Sequence, residues 1–234
     1  MSVWAIVPIK PLNRAKSRLA VVLTPEQRER LALGMLLHNL HILGQVSSIS
    51  GVLVISRDMK ALAAARALPG VQTLQESGTP ELNAALRRAS TMLVSWGAKA
   101  VLILPADIPL LAREDVEQLI TLGRYDNSLV IAPDAQRDGT NAILSRPAQL
   151  IDYSFGVGSY ARHIQAGELA GAEVHTYVSE RLALDVDTPE DLRAYEDLGH
   201  HLGLLTINYR DATQPLLPYG PNSNTPGTSS LLTP

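Results

Sequence analysis

Short runs of apolar residues alternate along this chain with longer segments in which apolar residues recur every three or four positions. The short runs predict β-strands, and the longer periodic segments predict amphipathic helices. Strands are predicted at residues 3–9, 52–55, 71–74, 100–104, 129–132 and 173–177. Strands and helices that alternate in this way are typical of an α/β protein, in which crossover helices cover a sheet.

Helix signals are clearest near the N-terminus of the chain. Thr24 as N-cap, Pro25 at the first helical position and Gln27 three residues after the cap form a capping box, and apolar periodicity continues to residue 43. Thr188-Pro189 repeats the cap-then-proline pattern and opens another helix. Further helices are predicted at residues 80–96, 113–122 and 159–166. Residues 137–155 follow neither period and are predicted to be irregular.

The chain of 234 residues fits a single α/β domain. From residue 205 onwards, proline, glycine, serine and threonine replace the periodic pattern. We therefore interpret residues 1–204 as one folded domain and residues 205–234 as a flexible C-terminal tail. In an alternative interpretation, the Leu and Tyr residues of the tail strap onto a partner subunit, which would make the protein a homodimer.

Composition narrows the class of protein. A net charge of -3 argues against a general nucleic-acid surface, and the absence of cysteine excludes disulfides and thiolate metal sites. The apolar N-terminal run lacks the basic region and cleavage site of a signal peptide, and no apolar run reaches the ~20 residues of a membrane span. We expect a soluble cytoplasmic protein without nucleic-acid or membrane partners.

Carboxylates follow two apolar runs that look like buried strands. Asp107 comes directly after the run at 100–104, and Asp185 and Asp187 come after a run near residue 183. The carboxyl ends of parallel strands form the ligand crevice of open α/β sheets, where three carboxylates would repel unless Mg²⁺ or Mn²⁺ bound between them. The alternatives are that Asp107 is an N-cap or turn residue and that Asp187 only caps the following helix.

A basic segment follows the first predicted strand. It contains Lys10, Arg14, Lys16 and Arg18 and leaves the strand at its carboxyl end, where clustered cations would neutralise a triphosphate. The alternative is an ordinary solvated loop. The segment lacks the glycine-rich cradle of a P-loop.

Two glycine- and hydroxyl-containing motifs lie between the acids, namely DGTN at residues 138–141 and FGVGSY at residues 155–160. The glycines of FGVGSY precede a helix that opens at Ser159, which favours an anion pocket at the free backbone N–H groups, although a plain loop with a serine cap fits equally well. His163 lies one turn further on and is more typical of a packing residue. Asn83 belongs to a segment that precedes or opens another helix at the crevice, and it offers both donor and acceptor to a base or ribose.

Together the motifs VPIK, NRAKSRL, ELNAAL, PADIP, DGTNAI, FGVGSYARH and LDVDTPEDL resemble, in this order, the guanylyltransferases that build the phosphoester precursor of coenzyme F-420. These are 2-phospho-L-lactate or phosphoenolpyruvate guanylyltransferases, and the resemblance spans residues 3–198. One departure is Pro80-Glu81, where the family tends to carry a glycine. The resemblance implies a three-layer, GT-A-like, Rossmann-type nucleotidyltransferase fold with a mixed, mostly parallel sheet.

The resemblance also implies roles for individual residues. Asp107, Asp185 and Asp187 would bind Mg²⁺. Thr140, Gly156 and Ser159 would hold the phosphorylated acid. The basic segment would hold GTP. We assign catalytic roles to Lys16, Asp107 and Asp187.

The expected reaction is attack by a phosphate oxygen of the acid on the α-phosphorus of GTP, with release of pyrophosphate. The acid could be phosphoenolpyruvate, 2-phospho-L-lactate or 3-phosphoglycerate. Its phosphate is already anionic at neutral pH, so that no general base is required. The competing interpretations are another nucleotidyltransferase of the same fold, a glycosyltransferase that uses Asp185-Val186-Asp187 as its metal motif, and a non-catalytic nucleotide-binding regulator.

Overall fold

The computed structural model describes residues 2–77, 81–204 and 206–217. These residues form a seven-stranded sheet in the order β3-β2-β1-β4-β6-β5-β7. The strands are β1 (Val3–Pro8), β2 (Ile49–Ser56), β3 (Val71–Gln75), β4 (Ala100–Ile103), β5 (Ser128–Pro133), β6 (Thr140–Arg146) and β7 (Glu173–Thr176). The helices are α1 (Pro25–Gln45), α2 (Met59–Arg66), α3 (Leu82–Ser95), α4 (Arg113–Leu122), α5 (Ser159–Leu169), α6 (Glu180–Ala183) and α7 (Pro189–His201).

The sheet is mixed and mostly parallel, which confirms the predicted fold class. Strand β6 runs antiparallel to β4 and β5, and all other neighbours are parallel. Successive residues of β1 alternate between two apolar clusters, with Ala5 and Val7 on the side of α1, α2 and α4, and Ile6 on the side of α3 and α5. This alternation covers both faces of the sheet and produces three layers. None of the described helices is long and apolar enough to cross a membrane.

The predicted helix starts at Thr24 and Thr188 are confirmed. The Thr24 side chain accepts a hydrogen bond from Gln27 N, and the Thr188 side chain accepts one from Asp191 N, so that both helices begin with capping boxes. Helix α4 has the predicted bounds, and α3 begins two residues later than predicted. The apolar pattern does not predict α2 or α6.

The prediction that residues 137–155 are irregular is wrong for β6. Every residue of this strand is buried, yet its sequence contains polar residues that hide the strand pattern. Several of these polar groups find partners inside the protein: Arg146 Nε donates to the Gly123 carbonyl at 2.8 Å, and Ser145 Oγ lies 2.9 Å from the Tyr153 hydroxyl. A second correction concerns the run before Asp185, which is not a strand but the short helix α6 followed by an extended segment.

The folded part extends past the predicted domain boundary at residue 204. Ile207 and Tyr209 are 4% and 3% exposed and belong to a third apolar cluster with Tyr195 of α7 and Leu31 of α1. The hydroxyl of Tyr195 accepts a hydrogen bond from Ile207 N at 2.7 Å. Residues 206–217 are therefore packed against the domain. The rest of the predicted tail, residues 218–234, lies outside the described residues.

Gly34 explains why this C-terminal segment fits closely against α1. A Cβ at this position would lie 2.3 Å from Cγ2 of Ile207. Arg30, one turn earlier, donates to the carbonyl oxygens of Asn208, Asp211 and Gln214. The space left at Gly34 and the hydrogen bonds donated by Arg30 together fix the path of residues 206–217.

Candidate active site

A cavity of about 600 Å³ opens at the carboxyl ends of β1, β2 and β4. This is the edge at which open α/β sheets bind ligands. Its wall combines the four predicted cations with the three predicted acids, namely Lys10, Arg14, Lys16, Arg18, Asp107, Asp185 and Asp187. The structure therefore brings together, at one cavity, two sets of residues that are far apart in the sequence.

Asp107 and the pair of later aspartates are held together by the backbone. The chain leaves β4 through Ala106 N, which donates to the Pro8 carbonyl at 3.3 Å. Val186 N donates to the Asp107 carbonyl at 3.3 Å, and the Val186 side chain is fully buried. A buried valine between two aspartates anchors both carboxylates beside Asp107.

Neither Asp107 nor Asp187 caps the helix that follows it. Thr188, not Asp187, caps helix α7. Ala112, not Asp107, occupies the cap position of α4, the helix that follows, although Asp107 does lie in a turn at residues 106–107. Both side chains instead reach the cavity, where they meet a lysine.

The Lys16 ammonium lies between two of the carboxylates. Its Nζ is 3.1 Å from Asp107 Oδ2 and 3.0 Å from Asp187 Oδ1, and its side chain is only 6% exposed. Burial lowers the pKa of Lys16, but the charges of Asp107 and Asp187 outweigh it and the pKa is raised overall. Burial raises the pKa of Asp187, and the opposing charges of Lys16, Lys10 and Arg18 leave it lowered overall.

The backbone at Lys16 supports this placement. Lys16 has a left-handed conformation, with φ 54° and ψ 38°, between short 3₁₀ helices at Leu12–Arg14 and Ser17–Val21. Such a conformation costs a residue other than glycine about 1–2 kcal/mol. The ion pairs with two aspartates offset that cost and hold the lysine inside the cavity.

Asp185 has a different environment. Burial raises the pKa of Asp185, and the charge of Asp107 raises it further, against a hydrogen bond from Asn141. Asn141 Nδ2 donates to Asp185 Oδ1 at 3.3 Å and to the Leu182 carbonyl at 2.9 Å. The sequence interpretation did not single out Asn141, although it stands next to Thr140 in the DGTN motif. The ionised form of Asp185 is thus disfavoured in this site, in contrast to that of Asp187.

The chemistry of this donor set suits a hard divalent cation, because all three side chains are carboxylates and their charges interact. Within residues 2–77, 81–204 and 206–217, however, no group of three or more His, Asp or Glu side chains is arranged to hold a metal ion as it stands. The Lys16 ammonium lies between Asp107 and Asp187 instead. Metal binding by all three aspartates would require Lys16 to move.

The predicted substrate residues separate into two groups. Gly156 lines the cavity, whereas Thr140 and Ser159 are 6% and 1% exposed and lie behind its wall. Ser159 is not a helix cap, because Gly158 holds that position. The Ser159 hydroxyl donates to Thr140 Oγ1 at 3.2 Å.

His163 completes this buried hydroxyl cluster. Ser154 N donates to His163 Nε2 at 3.0 Å, which leaves the proton of the neutral ring on Nδ1, 3.0 Å from Thr140 Oγ1. Burial lowers the pKa of His163 to about 4, with a smaller contribution from the charge of Arg162. His163 is therefore neutral at pH 7 and acts as a packing and hydrogen-bonding residue, as the sequence favours.

Asn83 connects the helix layer to the loop around Gly156. Its amide forms two hydrogen bonds with the backbone of Phe155, donating to the carbonyl at 3.3 Å and accepting from N at 2.8 Å. These contacts position the loop rather than leave the amide facing the cavity. Residues nearby that do line the cavity are Arg57, Glu76, Glu81 and Leu82, none of which was proposed as a ligand from the sequence.

A buried ionic cluster outside the cavity holds the segment that leads to Asp185. Asp115 of α4 is fully buried. It accepts hydrogen bonds from Arg181 Nε at 2.7 Å, Arg181 Nη2 at 3.0 Å, Ser179 Oγ at 2.7 Å and the Tyr177 hydroxyl at 3.0 Å. Because Ser179 and Arg181 flank the start of α6, this cluster fixes α6 and, through it, the approach to Asp185.

Two proteins named as guanylyltransferases are similar to this chain over most of its length. A phosphoenolpyruvate guanylyltransferase of Rubrobacter xylanophilus is 42% identical over 199 residues, which are 85% of this chain and 96% of that protein. A 2-phospho-L-lactate guanylyltransferase of Methanothermobacter thermautotrophicus is 38% identical over 193 residues, which are 82% of this chain and 83% of that protein.

Solved structures agree on the fold. A putative nucleotide-diphospho-sugar transferase from Desulfovibrio desulfuricans superimposes with a TM-score of 0.70 at 18% identity, covering 85% of this chain and 88% of that one. A nucleotidyl transferase from Methanothermobacter thermautotrophicus gives a TM-score of 0.65 at 15% identity, covering 86% of this chain and 98% of that one.

A family profile described as "Guanylyl transferase CofC like" matches residues 3–209. This confirms the resemblance drawn from the motifs and includes Ile207 and Tyr209, which pack onto α1 and α7. With the match to the family spanning most of the chain, the protein is an enzyme of the nucleotidyltransferase class and belongs to the family of CofC-like guanylyl transferases.

Proposed function

We propose that this enzyme transfers GMP from GTP to a phosphorylated three-carbon acid, with Mg²⁺ as cofactor and with release of pyrophosphate, in the biosynthesis of coenzyme F-420. The names of its relatives support phosphoenolpyruvate or 2-phospho-L-lactate as the acid, and 3-phosphoglycerate is a third candidate. The observation that carries the proposal is the cavity in which Lys10, Arg14, Lys16 and Arg18 face Asp107, Asp185 and Asp187.

The reaction joins two anions, so that the main task of the protein is to hold them together. The cations of the basic segment would share the triphosphate and neutralise the charge that develops on pyrophosphate as it leaves. The attacking phosphate oxygen of the acid is already anionic near neutral pH, so that no side chain has to remove a proton. The neutral, buried His163 is consistent with this chemistry, because it lies behind the cavity wall and needs no catalytic role.

Asp107 and Asp187 would hold the catalytic Mg²⁺, and Asp185 would support it or a second ion. When bound, the metal would neutralise charge on the reacting phosphates and orient them. Lys16 would then leave its place between the two carboxylates and become available to the triphosphate, which lies on the same side of the cavity in this proposal. Gly156 would offer its backbone to the acid, with Thr140 and Ser159 supporting that loop from behind.

Pyrophosphate release tests the proposal. The purified enzyme is supplied with GTP and Mg²⁺ and with each of the three acids in turn, with ATP and CTP as nucleotide controls and EDTA as the metal control. We expect release that depends on GTP, on Mg²⁺ and on one acid. No release with any of the three acids would contradict the proposal.

A matched pair of substitutions tests the role of the acids. Asp187→Asn keeps the size of the side chain but removes its charge, and we expect turnover to fall by about 10²-fold or more. Asp197→Asn, at an exposed position on helix α7, is the control and should keep wild-type turnover. Equal turnover in both variants would remove Asp187 from the mechanism.

A further inference from the structure

One carboxylate in the cavity wall has no part in the chemistry described so far. Glu76 directly follows β3, and its backbone N donates to the Ser56 carbonyl at 2.8 Å, which holds it beside the end of β2. It lines the same cavity as the three aspartates. In the strand order β3-β2-β1-β4, Glu76 follows β3 whereas Asp107 follows β4, three strand spacings or about 14 Å away.

We interpret this distance as the separation between the α-phosphate and the base of a bound nucleotide. If the α-phosphate lies beside Asp107 and the triphosphate along the basic segment after β1, the nucleoside must extend towards the ends of β2 and β3. The cavity wall there is formed by Arg57, Glu76, Glu81 and Leu82. The base is then read by the groups that this end of the cavity offers.

Among the described residues at this end of the cavity, Glu76 carries a carboxylate that can accept hydrogen bonds from a ligand. The carboxylate of Glu81 already accepts hydrogen bonds from Asn83 N at 2.9 Å and Ala84 N at 2.7 Å, as the cap of α3. No residue in the described ranges forms a hydrogen bond or an ion pair with the Glu76 carboxylate. Partial burial raises the pKa of Glu76, with Arg88 and Arg57 opposing the shift. A partly desolvated acceptor gains more from a ligand donor than one in open water.

A carboxylate selects guanine among the common bases for a geometric reason. Two adjacent donors, N1–H and the N2 amino group, lie on the Watson–Crick edge of guanine and match the two oxygens of an ionised carboxylate, which only accepts. Adenine and cytosine present a ring nitrogen acceptor there, which a carboxylate would repel. Hypoxanthine retains N1–H but lacks the N2 amino group.

We infer that Glu76 is the residue that determines guanine specificity, by accepting hydrogen bonds from N1–H and N2–H₂ of the base. The inference rests on the proposed use of GTP and adds to it the residue that chooses the nucleotide. Loss of one of two hydrogen bonds in such a bidentate contact weakens recognition by about tenfold or more.

Equilibrium binding of GTP and ITP, measured by calorimetry in the absence of the acid, tests the inference. We expect the wild-type enzyme to bind GTP at least about tenfold more tightly than ITP. In Glu76→Gln, GTP affinity falls and the GTP-to-ITP ratio approaches one. Glu168→Gln, a change of an exposed carboxylate on α5 that does not line the cavity, should keep the wild-type ratio. Glu76→Ala serves as a second variant, and thermal unfolding verifies that each protein is folded.

Several results would overturn the inference. One is equal binding of GTP and ITP by the wild-type enzyme. Another is an unchanged GTP-to-ITP ratio in both Glu76 variants. A change confined to the ratio of GTP to 2′-deoxy-GTP would assign Glu76 to the ribose instead. These outcomes are distinct from failure of the proposed function, which would appear as GTP binding without pyrophosphate release for any acid.

Discussion

The cluster around Asp115 gives the sharpest prediction about stability and activity together. Arg181→Met removes the charged partner of a fully buried carboxylate and retains most of the aliphatic volume of the arginine. The helix that carries Arg181 leads directly to Asp185, so that the substitution probes whether a contact outside the cavity positions an acid inside it. The cavity itself is left chemically unchanged.

The magnitude follows from the contacts. Removal of one partner of a buried ion pair costs about 3–5 kcal/mol, because the remaining charge is uncompensated. The Arg181 side chain is 30% exposed, and Tyr177 and Ser179 still donate to Asp115 in the variant. We therefore expect the lower end of the range, about 3 kcal/mol of unfolding free energy. Asp115→Asn should cost less, about 2 kcal/mol, because the arginine that remains can reach water.

Urea denaturation of the two single variants and the double variant gives the coupling energy between Asp115 and Arg181. We expect about 2 kcal/mol, together with a fall in turnover of about 10-fold or more in Arg181→Met, since small displacements of reacting groups are costly. The control is the exposed pair Arg113–Glu117, whose side chains are 52% and 42% exposed. Its coupling should be about 0.3–0.5 kcal/mol.

Two results would refute this reasoning. A coupling energy between Asp115 and Arg181 no larger than that of the control pair would show that the cluster is not a stabilising unit. A variant that loses stability but keeps wild-type turnover would show that α6 does not position Asp185.

Two further predictions concern other buried features. Because the pKa of His163 is about 4 in the folded protein and about 6.5 when unfolded, the unfolded state binds the proton first as pH falls. The contribution of His163, about 3 kcal/mol, should be fully present above pH 6.5 and be lost towards pH 4. Denaturation midpoints at several pH values should show a flatter profile for His163→Asn, and identical profiles would contradict the assignment. Gly34→Ala should destabilise by about 1–3 kcal/mol through the clash with Ile207. Gly44→Ala lies in the same helix, and no atom from another element of the described chain comes within 4 Å of the added Cβ. It should be neutral or stabilising by up to about 1 kcal/mol in thermal unfolding, and equal effects of the two substitutions would exclude a tight contact at Gly34.

The local signals in the sequence predicted most of the fold. Thr24 and Thr188 mark helix starts because capping is decided within a few residues. Strand β6 was missed because its polar residues find partners, such as the Gly123 carbonyl for Arg146, that are distant in the sequence. Apolar periodicity in a sequence indicates which apolar residues are buried. It does not indicate polar residues that are buried and hydrogen-bonded to distant parts of the chain.

The same distinction applies to the candidate site. The sequence predicted that Asp107 lies at the carboxyl end of a strand, since it directly follows an apolar run. It could not predict that Lys16 lies between Asp107 and Asp187, because that contact depends on a left-handed residue in one segment and on two other parts of the chain. Glu76 and Asn141 were overlooked because their placement depends on strand order and register, which no local pattern contains.

The reversed direction of β6 places the hairpin between β5 and β6 at the cavity edge of the sheet. Because β5 and β6 are antiparallel neighbours, the short connection at residues 134–139 lies at the cavity edge of the sheet, and β6 begins there with Thr140 and Asn141. This connection also contacts two helices, since Tyr160 N of α5 donates to the Asp138 carbonyl at 3.0 Å and Ala135 N donates to the Ala183 carbonyl of α6 at 3.1 Å. A change in the length or composition of residues 134–139 would therefore act on the cavity edge and on the ends of α5 and α6 together, so that the site and the helix layer on either side of the sheet are coupled through one short loop.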